Sequence, residues 1–187
     1  RRIQQAAGRL PGRLAFQSAG PLGSSMPGYQ STMATCVCEP AAPNVTRVAL
    51  ELGGKSANVL LDDLDDATFA KAVKSGVSDC FLNSGQTCSA LTRMIVPRAR
   101  LETAEELAQA AAERFTLGGA FGERTKLGPL VSATQRDRVR DLIGRAVDEG
   151  ARLLTGGTEA PDDLDTGYFV RPTVLSDVDP DSTVAQE

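Results

Sequence analysis

Between Leu101 and Phe115 apolar residues recur at 101, 104, 107, 108 and 111 and stop before Gly118-Gly119, the period of an amphipathic helix closed by glycine. A second such face, Val139, Leu142, Ile143, Ala146 and Val147, runs from a Ser132-Ala133-Thr134-Gln135 capping box to Gly150. A third, Phe69, Val73 and Val77 with Cys80 or Phe81, follows the acidic run Asp62, Asp63, Asp65 and Asp66, which suits the positive end of a helix. Short apolar runs at Arg47–Leu50, Ala57–Leu61, Arg93–Val96 and Arg152–Leu154 read as strands. The first two are expected to be buried and to bracket Gly53-Gly54, where the backbone can bend. Strands alternating with helices over short links predict an α/β fold, a mostly parallel sheet flanked by helices.

Residues 10–44 break this pattern. Pro11-Gly12, Gly20-Pro21, Pro27-Gly28 and Pro40-Ala41-Ala42-Pro43 interrupt every period, so no regular core element is expected there.

Composition narrows the function classes. A chain of 187 residues with 41% hydrophobic and 24% charged residues can bury one ordinary core. Its 24 acidic and 20 basic residues are spread along the chain for a net charge of −4, which leaves no basic stripe for nucleic acid. No apolar run approaches the ~20 residues that cross a bilayer, and no signal-like segment opens the chain, so the default is a cytoplasmic protein without a membrane partner. Cys36, Cys38, Cys80 and Cys88 have neither disulfide-framework nor zinc-ligand spacing, and the aspartates lack the spacing of a calcium loop. No metal site is assigned.

The chemistry concentrates in the run Phe81-Leu82-Asn83-Ser84-Gly85-Gln86-Thr87-Cys88, with Glu51-Leu52-Gly53-Gly54-Lys55-Ser56 upstream. A thiolate attacks electrophilic carbon, and the thioester it leaves must be cleaved by water that a base activates. The chain contains no histidine, which excludes a Cys-His or Ser-His-Asp hydrolase within these residues and points to a carboxylate base. Cys80, on the apolar side of a helix, reads as a core residue. Asn83 reads as a loop-fixing residue that bonds backbone, and Lys55 as a solvated side chain.

These two runs resemble the paired cysteine and glutamate signatures of the aldehyde dehydrogenase superfamily. Phe121-Gly122-Glu123-Arg124-Thr125-Lys126-Leu127-Gly128-Pro129-Leu130-Val131-Ser132 and Gly167-Tyr168-Phe169-Val170-Arg171-Pro172-Thr173-Val174 resemble its next two recurrent stretches, in the same order. The resemblance covers about Arg47 to Glu187. It implies Cys88 as nucleophile, Glu51 as base, NAD or NADP as cofactor, a small-molecule aldehyde as substrate and a homo-oligomer when full length. It also implies an internal fragment: residues 1–9 as a remnant of the dinucleotide-binding domain, 10–44 as an irregular insertion, and 45–187 as an incomplete catalytic domain. A truncated noncatalytic homologue and a thiol redox protein are the competing readings.

Overall fold

The computed structural model describes residues 12–16, 29–49, 54–164 and 166–186. In chain order the elements are β1 (Gly12–Phe16), α1 (Tyr29–Ala41), β2 (Ala57–Val59), α2 (Asp66–Phe81), β3 (Arg93–Val96), α3 (Leu101–Ala112), α4 (Ala133–Asp148), β4 (Arg152–Thr155), β5 (Val174–Ser176) and α5 (Thr183–Gln186). The strands form one sheet in the order β2-β3-β1-β5-β4.

The α/β class expected from the sequence is the class observed. Its parallel relation lies between β2 and β3, where Ala57 pairs with Arg93 and Val59 with Ile95. A helical crossover, α2, joins these two strands, as parallel neighbours require. The other described pairings, β1 with β3, β1 with β5 and β4 with β5, are antiparallel.

Two local expectations are corrected. Residues 10–44 are not irregular throughout, because Gly12–Phe16 supplies the central strand and Tyr29–Ala41 a helix. Local glycine and proline punctuation did not outweigh the long-range pairing of β1 to β3 and β5. Conversely, the strand expected at Arg47–Leu50 is absent over its described part: Arg47 and Ala49 are exposed and Val48 only half-buried, so no apolar face holds the run against the sheet. Leu50 lies outside the described residues. The second run is β2, at the sheet edge, with Val59 and Leu61 nearly half exposed while Leu60 is buried.

The main core lies between the sheet, α2 and α3. Phe69, Val73, Val77 and Cys80 are fully buried, so the face read from the sequence is the face that packs. Ala104, Ala108 and Ala112 form a small-residue stripe on α3 that lets α2 come close. Gly76 does the same toward the sheet: a Cβ there would lie 2.3 Å from the Asn58 amide nitrogen and 2.8 Å from the Met94 methyl. Asp65 caps α2 by accepting from Thr68 N–H at 2.9 Å, and Ser132 caps α4 by accepting from Gln135 N–H at 3.2 Å. Arg100 locks the α2 start, its guanidinium 3.9 Å above the Phe69 ring and donating to the Leu64 carbonyl at 2.6 Å.

Candidate active site

α2 delivers the cysteine run. It ends in Cys80 and Phe81, both buried, and the Phe81 ring meets Phe115 edge-on at 5.4 Å between centroids. The chain must then leave the core sharply. It does so through three consecutive residues of positive φ, Asn83 at 52°, Ser84 at 56° and Gly85 at 72°. Glycine takes this conformation without penalty and asparagine tolerates it, whereas serine adopts it only when held.

Several hydrogen bonds supply that hold. Asn83 Nδ2 donates to the Gln86 carbonyl at 3.1 Å and the Gln86 N–H returns to the Asn83 carbonyl at 3.1 Å, the loop-fixing duty expected of Asn83. Ser84 Oγ donates to the Gly128 carbonyl at 3.0 Å, and Gln86 Oε1 accepts from the Val131 N–H at 2.9 Å. The loop is therefore fastened to the segment 128–131, in which Leu130 is buried, as is Leu127 just before it. A small solvent-open depression lies at this junction, lined by Phe81, Ser84, Leu127, Leu130, Val139 and Val170 among others.

Beyond the fastened loop, Ala90 N–H donates to the Thr87 carbonyl at 3.2 Å and closes a four-residue turn. Cys88 occupies its second position and is an exposed free thiol. Cys80 is the opposite case: burial pushes its thiol up to about 12, against a small lowering by the charge of Lys55. Cys36 and Cys38 are exposed on α1.

The predicted base, Glu51, lies outside the described residues. The chain just after it is anchored: Arg93 on β3 donates to the Lys55 carbonyl at 2.5 Å, and Arg93 N–H donates to the Ser56 carbonyl at 3.2 Å. Thus the strand that begins shortly after the cysteine turn, β3, also ties down the segment that follows Glu51. Sequence reasoning missed Arg93, Ser84 and Gln86 because their partners lie tens of residues away. Among the described residues no three potential ligands gather as a metal site.

Two of the helix starts are poorly suited to a phosphate. The α2 start carries the acidic Asp65 and Asp66, and the α4 start is closed by Ser132. Cys88 itself is exposed between the short side chains of Thr87 and Ser89.

The sequence profile described as the aldehyde dehydrogenase family matches residues 25–187. A 3-succinoylsemialdehyde-pyridine dehydrogenase from a Pseudomonas species is 46% identical over 153 residues, which are 82% of this chain and 31% of that protein. Among solved structures, a variant of aldehyde dehydrogenase C from Pseudomonas syringae, complexed with NAD+ and octanal, superposes with a TM-score of 0.78 at 42% identity. That match covers 90% of this chain and 32% of the other. The Mycobacterium tuberculosis aldehyde dehydrogenase complexed with NAD+ gives a TM-score of 0.77 at 35% identity, covering 90% of this chain and 32% of that one. The chain spans about a third of the length of these relatives.

Proposed function

The chain belongs to the aldehyde dehydrogenase family, and from that premise we propose that it carries the nucleophile, Cys88, and the general base, Glu51, of an NAD(P)-dependent oxidation of a small aldehyde to a carboxylic acid. The observation that supports this most is the placement of Cys88. A family cysteine run leaves the core through a strained, fastened loop and presents one exposed thiol at the tip of a turn, while the thiol eight positions earlier is buried.

In this reading the Cys88 thiolate adds to the aldehyde carbonyl, forming a carbon–sulfur bond and a thiohemiacetal oxyanion. A bound nicotinamide cofactor would supply the acceptor for the hydride that leaves this carbon. The oxyanion collapses to a thioester on Cys88. Glu51 takes a proton from water, hydroxide adds to the thioester carbon, and the carbon–sulfur bond breaks to release the acid and regenerate the thiolate. No residue of this chain is assigned to holding the cofactor. Residues 45–187 form the catalytic portion in this account, which also has the full-length protein as a cytoplasmic homo-oligomer.

The thiol redox alternative needs a second sulfur that Cys88 can reach. Burial of Cys80 works against it, because a protonated, enclosed thiol resolves nothing. The test is aldehyde-dependent reduction of nicotinamide followed by absorbance on the purified full-length protein. Cys88→Ser is expected to abolish hydride transfer, and Glu51→Gln to retain one turnover and then stall. A protein that reduces no cofactor, or keeps doing so as Cys88→Ser, refutes the assignment.

A further inference from the structure

We infer that Gln86, assisted by Ser84, is a positioning residue for Cys88: its side chain staples the cysteine loop to the backbone of the segment 128–131. This rests on the assignment of Cys88 as nucleophile and extends it to residues that touch neither substrate nor cofactor.

Asn83, Ser84 and Gly85 all lie in the left-handed region, and only glycine does so freely. The local exchange between Asn83 and Gln86 closes the turn on itself, yet nothing in it fixes where the turn points. Direction comes from two bonds that cross to the distant segment, Ser84 Oγ to the Gly128 carbonyl at 3.0 Å and Val131 N–H to Gln86 Oε1 at 2.9 Å.

The segment that receives them is firm. Leu130 within it and Leu127 just before it are buried, Leu130 N–H donates to the Tyr168 carbonyl at 2.9 Å, and Ser132 immediately caps α4. Two residues after Gln86 stands Cys88. A staple this close to the nucleophile limits the directions its sulfur can take, and misplacement of a reacting atom by about 1 Å costs on the order of 100-fold in rate.

The experiment compares Gln86→Leu, which removes the acceptor, with Gln86→Glu, which keeps an oxygen on a side chain of the same length. In aldehyde-dependent nicotinamide reduction, Gln86→Leu is expected to lower kcat roughly 10- to 100-fold with KM for both substrates within about 2-fold, the signature of lost positioning rather than lost binding. Gln86→Glu is expected to recover most of that loss. Thermal unfolding checks that each variant is folded; should Gln86→Leu fail to fold, Ser84→Ala carries the same expectation through its lost bond to Gly128. Unchanged kcat, or equal losses in the leucine and glutamate variants, overturns the inference while leaving the dehydrogenase reading intact. An unsubstituted protein without aldehyde-dependent reduction overturns that reading and this inference with it.

Discussion

Cys80 and Cys88 stand on opposite sides of one helix-to-turn transition, the first with no exposure and the second open to solvent. Their thiols should therefore part company in a labelling experiment. Brief iodoacetamide treatment of the native protein, read by peptide mass spectrometry, is expected to modify Cys88 together with exposed Cys36 and Cys38, and to reach Cys80 only in denaturant. Labelling of Cys80 at the rate of Cys88 would contradict the packing described.

Burial of Cys80 also predicts an alkaline weakness. The folded state keeps the thiol protonated to about 12, whereas the unfolded chain releases it near 9.0. The stability contributed by this group is fully present below pH 9 and is lost as pH rises from there toward 12, at most about 1.4 kcal/mol per pH unit. Denaturant midpoints from pH 8 to 11 should fall more steeply in the native protein than in Cys80→Ala. Parallel slopes would mean that Cys80 ionises freely in the folded state.

Among the described residues Glu105 is a charged side chain set into the core. It is 9% exposed, and its Oε1 accepts from Arg152 and from fully buried Ser176, both at 2.5 Å, tying α3 to the far side of the sheet. Arg152 is half exposed, which moderates the ion pair, so the larger penalty on truncation is the stranded Ser176 hydroxyl. Glu105→Ala is expected to cost about 2 kcal/mol in urea unfolding and Glu105→Gln clearly less. Equal stability of Glu105→Ala and the native protein would show the brace to be idle.

The Asp65 cap carries an acid dependence of the opposite sense. Its carboxyl is held below the ordinary 3.8, first by the Thr68 hydroxyl and then by the Thr68 backbone N–H. A depressed folded value gives stability that is present above 3.8 and lost as pH falls through the folded value. Asp65→Ala should lower the melting midpoint at neutral pH, with the gap to the native protein closing below pH 3.8. A gap that persists unchanged in acid would assign the effect to something other than the charged cap.

What the sequence revealed follows the range of the interactions involved. The α2 face of Phe69, Val73, Val77 and Cys80 and the Ser132 cap were legible because helix period and capping act within a few residues. Glu105 was not, since a glutamate in a helix reads as solvated until Arg152 and Ser176 arrive from other elements. The strand β1 was hidden in a run punctuated by glycine and proline, because its pairing partners Arg93–Val96 and Val174–Ser176 lie far along the chain. At the site, the motif singled out Cys88 and the loop-fixing Asn83, while the bonds of Ser84 and Gln86 to residues 128 and 131 required the folded chain.

The central claim is covalent catalysis at Cys88, and its most direct test is the mass of the Glu51→Gln protein after mixing with an aldehyde and NAD. Without its base the variant should accumulate the thioester, visible as the added mass of one acyl group that maps to Cys88 and is absent in the Cys88→Ser, Glu51→Gln double variant. Turnover that proceeds with no acyl group on Cys88, or an acyl group carried by another residue, would contradict the account.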